Sequence, residues 1–591
     1  MKTIQQNENM DTTVVTESQQ QNQQETFQGI SVAQQIVALL EQMGVKLAFG
    51  VSGGAIGPVW GALEASSIDV LHCRHEGGAT FAATEAHFAS DRPVAAFATT
   101  GPGLMNALTG LSAARWEGAK VIFLSAYTPA SLWGHGACQE TSPYTTPLDG
   151  LFTAGTLFDY AMIVKSASQL PDIALQLLKG IKQREGFVAH ISIPTDIQKS
   201  ECSSNFSLPK LDKFYQPRVT LKNKKYQKYA ELLCQKRSAI WVGFEARRAA
   251  KEIVLLAEKI GCPVICSPRG KGIFPETHSQ FAGVVGMGGH TSALAYMNEY
   301  MPETILVLGT NLSEFSSFWN QKMLPSEDFI HVGLNSHADS AYSDSSLCRE
   351  IAIHSIHSDV KTVVKKLLKK VEQCPKQIPP RPQSQPIEPH TNDLVRPGVL
   401  MEKIQKLIVE GSDAVVMAEP GNSFAWTTNM LRFSTPNRYR TSTGFAAMGH
   451  VVTGVVGATV GKLKANAAKK VKAVAIVGDG SMLMNCEIST AVQYQIPAVW
   501  IVLNDACYNM VDQVLPHLKC KELVQIPQTD FVQIACAMGA DGITVETESE
   551  IEKALEKALA AEGPFVVDVR IDPTQKAPTE SRMMSLKNQV A

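Results

Sequence analysis

Two short apolar runs in the last third of the chain, each followed by oxygen-bearing side chains, most constrain how it folds. Residues 472–477 form a β-branched run that predicts a buried parallel strand, ending at Gly478-Asp479-Gly480-Ser481. Residues 498–503 form a second such run, ending at Asn504-Asp505. Glycines permit a sharp turn that exposes backbone amides, and hard oxygens at adjacent strand ends suit a Mg²⁺ ion that also holds a phosphate. The tripeptide alone is also compatible with an ordinary turn in a βαβ unit.

The same alternation of short apolar runs and helical segments continues along most of the chain. It predicts the α/β fold class with doubly wound parallel sheets. Three such domains are predicted, at 27–200, 218–372 and 395–575. The proline-rich stretch 373–394 is predicted to be an interdomain linker. Residues 1–26 are rich in glutamine and are predicted to be disordered, and the polar residues 576–591 to be a mobile tail or a closing lid.

The composition of the 591 residues fits a large soluble enzyme. Hydrophobic residues make up 45% and charged residues 19%, with a formal net charge of −2. No basic patch indicates nucleic-acid binding, and no run of about 18 apolar residues indicates a membrane span. The 12 cysteines are scattered without CxxC pairs, and the N-terminus has neither a signal-peptide nor a transit-peptide pattern. We therefore expect reduced thiols in a cytoplasmic protein.

The Gly-Asp-Gly block, with the Asn-Asp pair that follows it, resembles the thiamine-diphosphate fingerprint of the acetolactate synthase and pyruvate decarboxylase superfamily. The resemblance implies that Asp479, Asp505 and the backbone carbonyl of Cys507 ligate Mg²⁺. It also implies that the amides of Gly480 and Ser481 bind the cofactor's diphosphate. Two features depart from the family pattern. Asp505 replaces the second asparagine, and the segment before Glu487 is one residue shorter than in common members of the family.

Loops of the first domain support the same resemblance. FGVSGGA, RHEGGA, TTGPG and CQE follow the order of the loops in the family's pyrimidine-binding domain. This implies that Glu76 hydrogen-bonds the cofactor's aminopyrimidine ring and shifts its tautomer, and that Gln139 is the active-site glutamine. A glutamate after a strand is usually a solvated surface carboxylate, so the assignment of Glu76 depends on the surrounding loops.

The third domain resembles the family's diphosphate-binding domain. Its segments EPGNS and GFAAMG match the loops that hold the diphosphate and support the bent cofactor. The resemblance implies that Gly421, Asn422 and Ser423 contact the diphosphate. It further implies that Met448 lies under the thiazole ring and that the carbonyl of Ala446 accepts a hydrogen bond from the pyrimidine amino group. A polarisable methionine suits an irregular gap, although ordinary core packing would explain it without the motif.

The second domain resembles the family's central domain, which binds FAD or another nucleotide in some members. Gly286-Met287-Gly288-Gly289 retains part of the FAD-type pattern. The arginines that flavin-binding synthases carry after the third strand are replaced by Asn311 and Phe315. We therefore expect thiamine diphosphate and Mg²⁺ as cofactors, and no FAD.

The resemblance implies a thiamine-diphosphate-dependent carboligase, which decarboxylates a 2-oxo acid and joins the resulting enamine to a second 2-oxo acid. Three alternatives stay open: an acetolactate synthase that uses pyruvate, a simple 2-oxo acid decarboxylase, and a non-catalytic cofactor-binding homologue. In the family the two cofactor-binding domains meet across a subunit interface. The resemblance therefore implies a homodimer or homotetramer, and it leaves the identities of the donor and acceptor acids open.

Two positions predict the size of the acceptor pocket. The aromatic residue that branched-chain synthases place before the active-site glutamine is Cys138 here, and their tryptophan a few residues after Met-Val is Val514. Each missing ring removes about 150–250 Å² of contact area, which predicts a bulky, aromatic acceptor. In this respect the chain is similar to the cyanobacterial acyloin synthases of scytonemin biosynthesis, which join two aromatic 2-oxo acids. Alternatively, Trp133 or Tyr508 refills the space.

Overall fold

The computed structural model describes residues 29–146, 149–202, 221–334, 351–389, 392–465, 471–514 and 521–590. The glutamine-rich segment 1–26, predicted to be disordered, lies outside these ranges. The described residues form three six-stranded sheets whose paired strands are parallel, and helices lie between the strands along the chain. The predicted α/β class with three doubly wound domains is therefore confirmed. No helix in the described ranges is long and apolar enough to cross a membrane.

The first sheet consists of β1 (Leu47–Gly50), β2 (Asp69–His72), β3 (Val94–Ala98), β4 (Lys120–Tyr127), β5 (Tyr160–Ile163) and β6 (Phe187–Pro194). Its helices are α1 (Val32–Gln42), α2 (Gly57–Glu64), α3 (Glu76–Ser90), α4 (Pro102–Glu117), α5 (Leu170–Lys182) and α6 (Thr195–Lys199). The strand order is β2-β1-β3-β4-β6-β5. Strands β3, β4 and β6 are almost entirely buried, which explains why apolar residues dominate them.

The central sheet consists of β7 (Ser238–Val242), β8 (Val264–Cys266), β9 (Phe281–Val284), β10 (Thr304–Leu308), β11 (Asp328–Gly333) and β12 (Ala352–His357). Its helices are α7 (Asn223–Gln235), α8 (Ala250–Ile260), α9 (Thr291–Tyr300), α10 (Glu314–Ser317) and α11 (Val360–Leu368). The strand order is β12-β11-β10-β7-β8-β9, so the direction of winding reverses between β7 and β10. From Glu372 to Pro389 the described chain has no regular secondary structure.

The third sheet consists of β13 (Val415–Ala418), β14 (Tyr439–Thr441), β15 (Ala473–Gly478), β16 (Val499–Asn504), β17 (Asp541–Val545) and β18 (Phe565–Arg570). The helices are α12 (Pro397–Ile404), α13 (Asn422–Met430), α14 (His450–Ala465), α15 (Asp479–Met482), α16 (Glu487–Gln493), α17 (Asn509–Val514), α18 (Lys521–Val524), α19 (Phe531–Ala537), α20 (Ile551–Ala560) and α21 (Glu580–Val590). The order β14-β13-β15-β16-β18-β17 repeats the topology of the first sheet strand for strand.

Helices α3 and α14 join the first and third domains. Gly457 lets them approach closely, because a Cβ there would lie 1.9 Å from the carbonyl oxygen of Ala82. Beside this contact, Arg440 donates to both carboxylate oxygens of Glu85, at 2.9 and 2.7 Å, and His450 Nε2 lies 2.9 Å from Glu85 Oε1. All three side chains are buried. The two domains are therefore held together by both close packing and a buried ionic cluster.

The C-terminal helix α21 lies within the region predicted to be a tail or a lid. Its residue Ser585 donates to Glu314 Oε1 at 2.7 Å, and Arg582 forms an ion pair with the same carboxylate. Glu314 belongs to α10 of the central domain. The C-terminal segment is thus a helix docked on the central domain.

Candidate active site

A cavity of about 310 Å³ lies beyond the carboxyl ends of β13, β15 and β16. The third sheet reverses its direction of winding between β13 and β15, and doubly wound sheets bind ligands at such a point. The lining includes every residue predicted from the third domain to bind cofactor or metal: Gly421, Asn422, Ser423, Ala446, Met448, Asp479, Gly480, Ser481, Asp505 and Cys507. The fold therefore brings four separate loops to one cavity.

The carboxyl groups of Asp479 and Asp505 share this cavity in surroundings that disfavour charge. Asp479 follows β15 and Asp505 follows β16, and the two strands are neighbours in the sheet. Burial raises the pKa of Asp479, and burial together with the charge of Asp479 raises the pKa of Asp505 to about 7. In the described structure Asp479 Oδ2 is buried without a hydrogen-bond partner. A divalent cation would stabilise both carboxylates as anions.

The donor set suits Mg²⁺ shared with a phosphate group. No cluster of three or more His, Cys, Asp or Glu side chains arranged to hold a metal occurs in the described ranges. Mg²⁺ does not need one, because one or two carboxylates, water and phosphate oxygens commonly complete its octahedron. The N–H of Gly480 donates to Asp479 Oδ1 at 2.7 Å, and Asp479 Oδ2 is the oxygen left without a partner among the described residues. The residues present therefore fit the predicted metal.

Helices α13 and α15 both begin at the cavity, and the N–H of Gly480, in the first turn of α15, donates to Asp479 Oδ1 at 2.7 Å. Gly421 precedes α13 with φ +133°, a conformation that favours glycine, and Asn422 begins the helix. The side-chain oxygen of Asn422 is buried without a hydrogen-bond partner among the described residues, so this group is free to bind a ligand. At Gly480 a Cβ would lie 2.4 Å from the Tyr508 ring, so the ring packs directly on this backbone. Helix N-termini with free N–H groups bind phosphate.

The loop that carries Ala446 is held by helix α4 of the first domain. Ser442 Oγ donates to Glu117 Oε1 at 2.9 Å and accepts from the N–H of Ala446 at 3.2 Å. Trp116 covers the same loop, since a Cβ on Gly444 would overlap its indole ring. Ala446 has φ +50°, an unfavourable conformation for a residue with a side chain. These contacts stabilise the conformation that sets the direction of the Ala446 carbonyl.

Two further buried carboxylates, Glu419 and Glu487, hold loops of the site by accepting backbone N–H groups. Glu419 accepts at the start of α14, with the N–H of Gly449 at 2.7 Å, and burial raises its pKa to about 7. Glu487 accepts from the N–H groups of Arg74 and His75, both at 3.1 Å, and burial raises its pKa. The sequence analysis included Glu419 in the segment EPGNS, but it assigned no role to Glu419, Glu487 or Glu117.

Glu76 and Gln139 lie at the corresponding edge of the first sheet. Glu76 is the first residue of α3, and Asn106 Nδ2 donates to its Oε2 at 3.2 Å. A Cβ on Gly103 would lie 3.2 Å from Glu76 Oε1, and one on Gly101 would lie 2.9 Å from the carbonyl oxygen of Gln139. Neither Glu76 nor Gln139 is among the described residues that line the cavity of the third domain. In the single chain, the site residues predicted from the first domain and those predicted from the third domain therefore lie in two separate places.

The two positions used to predict the acceptor pocket are only partly described. Cys138 is exposed, beside Gln139. Val514 is the last residue of α17, and its side chain lies outside the described structure. Of the two residues considered as fillers, Trp133 donates its indole N–H to the carbonyl of Thr128 at 2.8 Å, whereas Tyr508 lines the cavity. The bulky acceptor remains a prediction.

A second cavity, of about 630 Å³, lies between the first and central domains where the central sheet reverses its winding. Asn311 lines it, together with Arg247 and Arg269, whose guanidinium groups stack on the Phe244 ring at 4.4 and 4.2 Å. Phe315, the other residue that replaces an arginine, lines the active-site cavity instead. The absence of FAD remains a prediction.

Models of the thiamine pyrophosphate enzymes match most of the chain. The N-terminal TPP binding domain matches residues 30–145, the central domain 227–367 and the C-terminal TPP binding domain 419–569. The chain therefore belongs to the thiamine-diphosphate-dependent enzymes. This confirms the family and the enzyme class predicted from the sequence, and the two TPP binding domains support thiamine diphosphate as the cofactor.

Within this family the chain is acetolactate synthase-like. It is 27% identical over 566 residues to a probable acetolactate synthase large subunit of Methanocaldococcus jannaschii, spanning 92% of this chain and 93% of that protein. It is 26% identical over 556 residues to the acetolactate synthase isozyme 1 large subunit of Escherichia coli K12, spanning 92% and 94%.

Two solved structures share the fold at low sequence identity. A putative thiamin diphosphate-dependent enzyme from Mycobacterium smegmatis has a TM-score of 0.77 at 21% identity, covering 92% of this chain and 99% of that chain. The 4-hydroxybenzoylformate decarboxylase of Rhodococcus jostii RHA1 has a TM-score of 0.76 at 20% identity with the same coverage.

Proposed function

We propose that this enzyme is a carboligase, which removes CO₂ from one 2-oxo acid and joins the remaining acyl unit to a second 2-oxo acid. The observation that carries the proposal is the cavity of the third domain. It combines the first residues of helices α13 and α15 with two carboxyl groups of raised pKa, and Oδ2 of Asp479 is buried without a hydrogen-bond partner among the described residues. Bound thiamine diphosphate supplies the electron sink that both decarboxylation and carbon–carbon bond formation need.

The third domain binds the polar end of the cofactor. Asp479, Asp505 and the carbonyl of Cys507 ligate Mg²⁺, and the amides of residues 421–423 and 480–481 bind the diphosphate. The carbonyl of Ala446 would accept a hydrogen bond from the pyrimidine amino group of the bound cofactor, and Met448 would pack against its thiazole ring. The contacts of Glu117 and Glu419 support this assignment, because they fix the loop on both sides of Ala446 before any ligand binds.

The first domain contributes the proton chemistry from a second copy of the chain. Glu76 hydrogen-bonds the pyrimidine ring and shifts its tautomer, and Gln139 contacts the substrate. A homodimer or homotetramer is supported by the exposure, in the single chain, of two half-sites: the cavity of the third domain and the edge of the first domain that carries Glu76 and Gln139. Phe445 and Met448 are 41% and 40% exposed beside the cavity, and Gln139 is exposed at the other half-site.

The acceptor is proposed to be bulky and aromatic, because Cys138 and Val514 stand where related synthases carry rings. Acetolactate synthase relatives favour pyruvate as the alternative acceptor. A second candidate function, simple decarboxylation, is favoured by the fold neighbour named as a 4-hydroxybenzoylformate decarboxylase. The two functions differ in whether the acyl unit is protonated or transferred.

Incubation with paired 2-oxo acids, followed by mass spectrometry of the products, separates these functions. We expect 2-hydroxy ketones or 2-hydroxy-3-oxo acids that depend on added thiamine diphosphate and Mg²⁺. Formation of aldehyde alone would identify a decarboxylase. Acetolactate as the dominant product from a mixture of pyruvate and an aryl 2-oxo acid would identify a pyruvate-specific synthase.

A further inference from the structure

Arg582 is a basic side chain in the active-site cavity that none of the proposed cofactor contacts uses. Among the described residues that line the cavity it is the one cationic group, whereas Asp479 and Asp505 are acidic. Its guanidinium lies over the Phe315 ring, 5.5 Å from the centroid, and forms an ion pair with Glu314. Arg582 belongs to the C-terminal helix, and both of its partners belong to α10.

This arrangement leaves Arg582 able to exchange partners. The side chains of Arg582 and Glu314 are 22% and 24% exposed, so both reach solvent and an anion that enters the cavity can compete with Glu314 for the guanidinium. The contact with Glu314 comes from Nη1 of Arg582, and a guanidinium has five N–H donors in all. A planar guanidinium binds a carboxylate through two parallel hydrogen bonds.

The chemistry of the proposed reaction indicates which anion Arg582 binds. The diphosphate is compensated by Mg²⁺ and by backbone amides in the proposed site. The carboxylate of the donor 2-oxo acid loses its charge as CO₂ leaves, so a cation paired with it would stabilise the ground state more than the transition state. The carboxylate of the acceptor 2-oxo acid keeps its charge throughout, and no cofactor contact proposed above accounts for it.

We propose that Arg582 binds the carboxylate of the acceptor 2-oxo acid, which replaces Glu314 as its partner. This rests on the proposed carboligase function and assigns to the C-terminal helix the selection of a 2-oxo acid, instead of an aldehyde, as the second substrate. Arg582 makes no covalent bond and moves no proton.

The test compares Arg582→Gln with Glu314→Gln in the cofactor-loaded enzyme. Both variants remove the same ion pair, but only Arg582→Gln removes the cation. For Arg582→Gln we expect the KM of the acceptor 2-oxo acid to rise about 10- to 100-fold, the size of one charge-assisted hydrogen bond. The KM of a neutral aldehyde acceptor and the rate of donor decarboxylation should stay unchanged. For Glu314→Gln the KM of the acceptor acid should not rise.

A matched control is Arg184→Gln, because Arg184 forms an interdomain ion pair with Asp359 at similar exposure and lies outside this cavity. If Arg582→Gln and Glu314→Gln raise the KM of the acceptor acid equally, the ion pair has only a structural role and the proposal is overturned. A lower thiamine-diphosphate affinity of Arg582→Gln by calorimetry, with the acceptor KM unchanged, would assign the arginine to the diphosphate. An unmodified enzyme that forms only aldehyde would refute the carboligase function, and the acceptor role of Arg582 with it.

Discussion

The first and third domains share one strand order but carry different groups on it. In both, the loops that follow the first and third strands of the sheet meet where the winding reverses. In the third domain these loops, together with the loop after β16, form a cavity that holds the carboxyl groups of Asp479 and Asp505. In the first domain the equivalent edge carries Glu76 and Gln139. The scaffold therefore determines where a ligand binds, and the loops determine which part of it is bound.

The same helix pair positions both half-sites of one chain. Helix α3 begins at Glu76, and α14 begins two residues after Met448. Because α3 and α14 are packed against each other through glycines and through Glu85, the distance between the two half-sites is fixed within the chain. We infer that a complete active site needs the third domain of one copy of the chain and the first domain of another copy.

The largest effect is expected for Glu76→Gln, which changes the first domain alone. Without its carboxyl the tautomer shift of the pyrimidine is lost, so turnover should fall by about 10²- to 10⁴-fold. Thiamine-diphosphate affinity, measured by calorimetry with Mg²⁺, should stay nearly unchanged because the diphosphate contacts lie in the third domain. A loss of activity below tenfold would remove Glu76 from the mechanism.

Mixing a first-domain variant with a third-domain variant tests whether two chains share each active centre. In a dimer that combines a Glu76→Gln chain with an Asp479→Ala chain, one site receives both altered residues and the other receives neither. Random exchange of subunits should therefore restore about a quarter of the full activity from two nearly inactive proteins. If activity does not return after verified subunit exchange, both half-sites of an active centre come from the same chain.

The next effect concerns the stability of the contact between the two domains. Burial opposes the charge of Glu85, but Arg440 and His450 outweigh it and hold the pKa of Glu85 well below its ordinary value. Removing that charge leaves Arg440 buried without its anion, so Glu85→Gln should lower the free energy of unfolding by about 3–5 kcal/mol.

A pH series and a surface variant check the origin of this effect. A depressed pKa stabilises the fold above the unfolded-state pKa of the carboxyl, near pH 4, and this contribution is lost as the pH falls. The difference between Glu85→Gln and the unmodified protein should therefore shrink below about pH 4 in chemical denaturation. Asp91→Asn, which breaks the exposed pair with Arg248, should cost at most about 1 kcal/mol. A pH-independent difference would contradict the ionic explanation.

A smaller effect, on binding, is expected from the third domain. Asp479→Asn removes a charged ligand of the proposed Mg²⁺ and should weaken thiamine-diphosphate binding by at least about 100-fold, because even outer contacts of metal ligands are worth 10- to 100-fold. Calorimetry at several Mg²⁺ concentrations measures this directly. Asp512→Asn, a nearby acid that does not line the cavity, serves as the control. Equal affinities for the two variants would contradict the metal assignment.

The sequence predicted the parts of this molecule that have a local signature. Apolar runs ending in glycine marked the strands, and the loops after them supplied Asp479, Gly480 and the other cavity residues. Glu117 and Arg582 have no such signature, because their partners Ser442 and Glu314 are 325 and 268 positions away. Strand order was not predicted either, since parallel pairing joins strands that are not consecutive. Residues that act through long-range contacts became visible only in the folded chain.

The smallest effect is expected on acceptor selectivity, from substitutions at Cys138 and Val514. Cys138 is exposed in the single chain, and it occupies the position at which related synthases carry a ring. If a second copy brings Cys138 to the cavity, Cys138→Phe together with Val514→Trp should overpack a pocket that fits a bulky acceptor. Overpacking costs about 1–3 kcal/mol, or roughly 5- to 150-fold in selectivity for pyruvate over an aryl 2-oxo acid. Competition between the two acids measures the shift, with Cys536→Phe as a control at an exposed cysteine outside the cavity lining. An unchanged ratio would contradict the prediction that Cys138 and Val514 set the size of the acceptor pocket.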